Sequence, residues 1–595
     1  MKKLQKITAL LLSVVSCASF AACGGGSTSG GGTGKETELV VYNFGGGVGR
    51  EWLDNAFKRF AESKKDVSYE EGKTGVSMSV THTTSSPIST IETDGYHIYV
   101  EQSADVMTLA KQGKIMDLTD VWTEASSEGT IASKVADDKE VMFMNEGKYY
   151  ALPHYEIFQG LPYDIEIFER DSLYIAAPNE ADATKHTAFG TTIGFTDGLE
   201  GSAKKSCGND GVYGTFDDGL PSSIIEFVVM CDKTSESTTP FVCAGNHCDY
   251  TNYFLSGLVA ALSGSEAMAA NYSFTGEIEI VTGYSKTEYL FDEATSKAFG
   301  ITAMKPITQK VTVTNDTGYL TRKQVARYYA TALMEVITKM GWIHENSTSP
   351  SYDHNAVQQM IVNGTLANDK DNKIAMIFEG SHWINELKPT NILSEFYNLA
   401  GRNAKDSERR FGWMSLPTQF SGSVQPKANG EVPNETVLVG GPAYILVNNN
   451  LSKNPEKNAG VIRACKDFLK FLYTDAELRK FVSTTGVTRY GIDLEYTEED
   501  LAPLNIFERN MIKLIADENV KKITQFNLNP TFLANRGYFG YGLQSTLFRT
   551  ELVAGTANYD CYWEAFRNQD LGATSEALFA YGQITESDWN SKFKK

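Results

Sequence analysis

The chain has 595 residues and a formal net charge of −20, with no long basic run. Nucleic-acid binding needs basic surface, so that class is excluded. The same acidity argues against a substrate surface that is itself strongly acidic. Beyond residue 15 no stretch stays apolar long enough to cross a bilayer. There is no Gly-x-x-x-x-Gly-Lys-Ser/Thr, no Gly-x-Gly-x-x-Gly in register, no Gly-x-Ser-x-Gly and no His-Glu-x-x-His. Catalysis therefore has no motif behind it. A glycosidase needs two placed carboxylates, and 74 acidic residues supply pairs without placing any. Paired Cys-x-x-Cys and His-x-x-x-His spacings are also missing, so a zinc site built on Cys243, His247 and Cys248 is disfavoured. Asp210, Asp217 and Asp218 share a Gly-rich loop but miss the EF-hand spacing. A solvated turn is the favoured reading there, with calcium left open. No cofactor is expected.

What is present begins with length. A chain of this size holds at least two domain-sized cores. At the N-terminus, Lys2, Lys3 and Lys6 precede a short apolar segment over 7–15, too short for a permanent span. Phe20-Ala21-Ala22-Cys23 resembles a bacterial lipobox, with Phe20 in place of the usual Leu. A plain secretory signal with an incidental Cys is the alternative. The expectation is a signal over 1–22, lipidation at Cys23 and a tether over 23–37, nearly pure Gly, Ser and Thr from 24 to 34. Such a protein is held at the extracellular face of the bacterial cytoplasmic membrane. Of eight cysteines, Cys207, Cys231, Cys243, Cys248, Cys465 and Cys561 would remain in the mature body as disulfides or free thiols, with their connectivity open.

The body opens as alternating α/β. Leu39, Val40, Val41 and Tyr42 are strand types, followed by Gly45-Gly46-Gly47-Val48-Gly49. The next segment is a helix with Trp52, Leu53, Ala56, Phe57 and Phe60 on one face. Strands over 75–83 and 96–100 follow, the second ending at Glu101-Gln102-Ser103. A helix over 105–112 is closed by Gly113. This order predicts a parallel sheet. The segment 373–383 changes character abruptly, from the apolar run Ile374 to Phe378 into Glu379-Gly380-Ser381-His382-Trp383. It reads as a buried strand that delivers a carboxylate, a hydroxyl, an imidazole and an indole to a sheet edge. Ligands bind at such edges. Aromatic faces beside hydrogen-bonding groups suit a sugar. A buried Trp anchoring a turn is the competing reading.

Several further segments carry a resemblance. They are Tyr149-Tyr150-Ala151-Leu152-Pro153, then Leu161-Pro162-Tyr163-Asp164, the helix start Pro221-Ser222-Ser223 with Glu226, the 373–383 element, Phe411 to Pro417, and the helix over 464–482. In this order they resemble the extracellular solute-binding proteins of bacterial ABC importers, family 1, which take carbohydrates. The resemblance spans about 39–493.

It implies an α/β fold, a two-lobed periplasmic-binding-protein-like clamp of type II. Each lobe would be a mostly parallel sheet flanked by helices, with hinge strands between the lobes. Lobe one would be 38–155 and 437–489, and lobe two 156–436 and 490–595. Residues 171–219 and those after 500 would be insertions. The implied partners are a carbohydrate, expected to be an oligosaccharide, and permease subunits, and the implied protein is a monomer. The expected ligand contacts in lobe one are Phe44, Gly45 and Gly46 (with the backbone through Gly47), Trp52, Glu101 and Gln102. The hinge would add His154, Tyr155 and Glu156. Lobe two would add Glu379, His382, Trp383 and Trp413, with Arg489 and Tyr490 at a third crossing. Trp52 sits on an apolar stripe and suits a core position equally. Two other readings stay open: a surface glycan-binding adhesin without a transporter, and a surface glycosidase.

Overall fold

The computed structural model describes residues 34–199, 204–245, 250–349, 351–426, 432–535, 566 and 573–594. The expected signal, Cys23 and most of the tether fall outside these residues, as do His247, Cys248 and Cys561. The described chain divides into two compact units. Unit one comprises the residues up to Lys134, then Phe143–His154 and Tyr444–Leu478. Unit two comprises Val135–Met142, Tyr155–Ala443 and the residues from Arg479 onward.

In unit one, β1 (Thr37–Phe44) pairs in parallel with β2 (Val76–Thr83) and with β3 (Ile98–Glu101). Val41 lies opposite Val80 on one side and Ile98 on the other. Leu39, Val41 and Tyr42 are wholly buried, as a central parallel strand requires. Helix α1 (Glu51–Ser63) turns its Trp52/Leu53/Ala56/Phe57/Phe60 stripe inward. Helix α2 (Val106–Lys111) is started by Asp105, whose carboxylate accepts from the Thr108 amide at 3.0 Å. The chain leaves this unit within β4 (Leu152–Gly160), between His154 and Tyr155.

In unit two, β5 (Pro162–Asp164), β6 (Thr239–Val242), β9 (Ile374–Ile377) and β11 (Phe411–Trp413) form a four-stranded sheet ordered β6-β9-β5-β11. Between β5 and β6 runs α3 (Ile224–Ser235). Ser223 caps it by accepting from the Glu226 amide, and the Glu226 carboxylate answers with the Ser222 amide and hydroxyl, each at 2.7 Å. After β6 come α4 (Tyr250–Ser263) and an antiparallel hairpin, β7 (Gly276–Tyr289) with β8 (Met304–Val313). Helices α5 (Val325–Lys339) and α6 (His354–Asn363) then lead to β9, the two-residue β10 (Glu379–Gly380) and α7 (Trp383–Leu387).

The β6–β9 pairing is parallel, but β5 runs antiparallel to both β9 and β11. The sheet of unit two is thus mixed rather than mostly parallel. Phe227, Phe241, Phe254 and Phe378 fill the core, Phe254 stacking on Phe378 at 4.9 Å. Asp164 and Arg409 form a fully buried ion pair beside it.

The chain returns to unit one within β12 (Thr436–Val447), between Ala443 and Tyr444. There Tyr444 pairs with Glu101 of β3, antiparallel. Helix α8 (Pro455–Leu472) covers α1, Phe468 lying 5.4 Å from Phe57 and 5.1 Å from Phe60. Residues 479–489, expected in lobe one, lie with unit two, as do 437–443. Arg479 bonds Asp500, Lys388 reaches the Thr484 carbonyl, and Arg489 pairs with Tyr155. Residues 135–142 join the same unit because Val135 pairs with Ile492 and the Ala136 amide donates to the Gly491 carbonyl. Helix α9 (Ile506–Ala516) and β13 (Val520–Thr524) follow, β13 in parallel register with 436–440 of β12.

Two expected insertions have definite structure. Within 171–219 lies a three-stranded antiparallel sheet, its hairpin turning at Phe189 and Gly190, both at positive φ. Near the C-terminus, α10 (Ser575–Tyr581) is tied to α5 by Glu335, which accepts from the Ser575 amide. Trp589 is wholly buried against Phe274.

Candidate functional site

Each unit carries its own group of candidate residues. In unit one they collect at the carboxyl ends of the parallel strands, where side chains escape the sheet. Phe44 ends β1, and Gly45, Gly46 and Phe44 are half-buried. A Cβ on Gly45 would lie 2.7 Å from the Thr83 backbone, so glycine is required for β1 to turn against the end of β2. Glu101 ends β3. It is 1% exposed and accepts from the Ser86 hydroxyl at 2.6 Å. Burial pushes its carboxyl up to about 7, with the Ser86 hydrogen bond opposing. Gln102 follows, half-buried. Trp52 packs in the unit's interior with its ring 4.8 Å from that of His154, and both are buried. Of this set, Phe44, Gly45, Gly46 and Gln102 meet solvent, and Glu101 lies just beneath.

In unit two the organising element is β10. Glu379 and Gly380 pair antiparallel with Gly160 and Gln159 of β4, and the next residue locks the junction. The Ser381 amide donates to the Phe158 carbonyl, and the Phe158 amide donates back to the Ser381 hydroxyl. Gly380 is required because the His382 imidazole lies over it, 2.8 Å from where a Cβ would be. Glu379 is fully buried and accepts from its neighbour's amide and from Gln358 Nε2 at 3.0 Å. Gln358 Nε2 also donates to Glu386 Oε2 at 2.9 Å, and His382 Nε2 stands 3.7 Å from Glu386 Oε1. Burial and the Glu386 charge push the Glu379 carboxyl well above the usual range. Burial also acts on Glu386, but His382 outweighs it and holds that carboxyl down at about 2. Tyr155 faces His382 with ring centres 6.5 Å apart, and Tyr250 and Tyr253 pack edge to face at 5.2 Å.

The other expected residues fall in several places. Trp383 belongs to the core. It is 0% exposed and held edge-on by Phe411 at 4.9 Å and Phe507 at 5.9 Å, so its faces are covered by unit two itself. This burial is that of the competing reading, a buried Trp anchoring the turn. Trp413 is 8% exposed, its ring pressed on Gly160, and it lines a cavity with Gln159, Ser415, Thr418 and Glu435. Glu156 is buried, with Oε1 lacking a hydrogen-bond partner, and burial pushes its carboxyl up to about 7. The Arg489 guanidinium lies 3.8 Å from the Phe481 ring centre, and the Tyr490 hydroxyl pairs with Thr524 at 2.8 Å. Both are buried structural positions of unit two.

Gln358, Glu386, Tyr250 and Tyr253 went unnoticed in the sequence. Glu386 had a legible signal, the i,i+4 spacing from His382. Gln358 had none beyond being a polar residue within the helical stretch 354–363.

Among the described residues no three His, Cys, Asp or Glu side chains gather to hold a metal ion. The oxygens of Asp210, Asp217 and Asp218 are largely spent on turns. Asp217 Oδ2 accepts from the Asn209 and Asp210 amides, Asp218 from Gly214 and Asp210 from Val212. Cys207, Cys231 and Cys465 are buried free thiols. No helix among the described residues is long and apolar enough to cross a membrane.

No protein-family model matches the chain, and no curated protein matches it in sequence. Solved structures do. A chitin oligosaccharide binding protein superposes with a TM-score of 0.51 at 13% identity, over 94% of this chain and 100% of its own. The maltose-bound MalE3 of T. maritima aligns with a TM-score of 0.48 at 12% identity, over 90% and 99%. The putative binding protein MsmE of Bacillus subtilis, in an open conformation, aligns with a TM-score of 0.41 at 14% identity, over 91% and 97%. The first of these establishes the fold, that of the two-lobed periplasmic-binding-protein-like clamps.

Proposed function

We propose that this protein is a carbohydrate-binding receptor of an ABC importer, anchored by lipid at Cys23 on the outer face of the cytoplasmic membrane. It passes an oligosaccharide to permease subunits and makes or breaks no bond. The observation that carries the reading is the alignment over nearly the whole of both chains with a protein named for binding chitin oligosaccharides. The strand-end chemistry supports it. In unit one Phe44 and Gln102 are half-buried at strand ends, with the Glu101 carboxyl just beneath, a ring and hydrogen-bonding groups of the kind a sugar uses. Closure on ligand follows if the closed state alone allows the full set of contacts.

The test is a thermal-shift screen of the body 36–595 against mono- and oligosaccharides, with amino acids and polyamines as controls. A saccharide at 100 times its Kd stabilises by about 2.7 kcal/mol, and a selective shift is expected for one oligosaccharide class. A shift with another solute and none with any sugar would overturn the carbohydrate reading. Lipidation is checked separately. Cys23→Ala should release the protein from membranes into the medium.

A further inference from the structure

The Gln358 cluster of unit two is built to receive hydrogen bonds and is short of donors. Gln358 is wholly buried, and its Nε2 spends its hydrogens on Glu379 and Glu386. The other end of the same amide, Oε1, has no hydrogen-bond partner. His382, 3% exposed, has Nδ1 in the same condition. Glu379 is contacted by two amide donors, Gln358 and Gly380, and forms no ion pair with a lysine or arginine among the described residues. Two carboxyl groups thus share one amide, with an unused acceptor beside them. Aromatic rings border the cluster. Tyr250 lies within electrostatic reach of both carboxyls, and Tyr155 within reach of Glu386 and Tyr253. Its partly exposed members are Tyr250, Tyr253 and the Glu386 side chain, which is 10% exposed.

A hydroxyl would supply one donor to this arrangement. An ammonium supplies three, together with a positive charge that is attracted to the Glu386 carboxylate and to tyrosine faces. We infer that the cluster is a subsite for a cationic amino group, with Glu379, Glu386 and Gln358 Oε1 as its acceptors. The ligand it selects is then an amino sugar with a free amine. This rests on the saccharide reading above, and the amine is the added claim.

Calorimetry on the full body, at fixed pH and low salt, compares three trimers of one β-1,4 backbone: the glucosamine trimer, its N-acetylated counterpart and cellotriose. The glucosamine trimer should bind at least tenfold more tightly than either neutral trimer. Glu379→Gln should bring its affinity to within threefold of theirs. The wild-type comparison stands even if that variant folds poorly. Neutral trimers binding as tightly as the amine would overturn the subsite and leave the saccharide reading standing. Spermidine binding more tightly than all three would keep the ammonium subsite and overturn the saccharide reading. No binding by any of them would overturn both.

Discussion

Glu101 offers a prediction whose size follows from its surroundings. Its carboxyl is 1% exposed, and its one side-chain partner is the Ser86 hydroxyl at 2.6 Å. Burial raises it from an ordinary 4.5 to about 7. The folded state therefore holds this proton more tightly than the unfolded chain does. Between those values the folded protein carries more bound protons, so stability falls as pH rises. Well above pH 7 the full cost is about 3 kcal/mol relative to the protonated acid. Below pH 4.5 it vanishes. Glu101→Gln keeps the shape and still accepts from Ser86, but cannot ionise. Chemical denaturation of wild type and variant from pH 5 to 8.5 isolates this one group, because all other titrations cancel in the difference. The variant should lead wild type by under about 1 kcal/mol at pH 5 and gain steadily above it, to about 2 kcal/mol or more at pH 8.5. A variant no more stable than wild type at pH 8.5 would refute the account of Glu101 as a buried, unwillingly ionised acid.

Two further substitutions probe the framework. Trp383→Phe should destabilise unit two by about 1–3 kcal/mol, because the indole fills the space between Phe411 and Phe507. Saccharide affinity, by calorimetry on the folded variant, should stay within threefold; a tenfold loss at unchanged stability would return Trp383 to the ligand. Gly440→Ala puts a Cβ 1.9 Å from the Ile157 carbonyl oxygen, backbone against backbone, where β12 meets β4. Neither strand can yield by rotating a side chain. The expected loss exceeds about 3 kcal/mol in a thermal melt, and a loss under 1 kcal/mol would show that the two strands are not held this closely.

The strands of unit one were legible because each is an apolar run with an abrupt polar end. Val41-Tyr42-Asn43-Phe44 and Tyr99-Val100-Glu101 each state where the sheet stops. The same logic found Ile374 to Phe378 and the turn after it. It failed at Trp383 for an instructive reason. An indole next to Ser381 and His382 looks the same in sequence whether it faces a sugar or a second layer of helix. What settles it is Phe507, more than a hundred residues later. The placement of 135–142 and 479–489 was hidden likewise, since it depends on backbone pairings such as Val135 with Ile492 that no local pattern announces. The β7–β8 hairpin begins with a readable alternation, Glu277-Ile278-Glu279-Ile280. Its outer half is polar on both faces, so the period that marks a half-buried strand fades.

The charge of the whole chain is a poor guide to the charge of these sites. A protein at −20 would repel an anionic solute, but it does not follow that its strand ends are strongly negative. Burial pushes the Glu101 and Glu156 carboxyls up to about 7, well above the ordinary carboxylate range. An uncharged carboxyl can both donate and accept, which matches a sugar hydroxyl without charging the site. Glu386 differs, because His382 keeps it ionised while Glu379 beside it is pushed toward the proton. The two groups thus differ: burial holds Glu101 near its proton, while Glu386 is held ionised beside Gln358, whose Oε1 has no hydrogen-bond partner. A neutral saccharide hydroxyl would give the Gln358 Oε1 acceptor its donor but would bring no positive charge to Glu386.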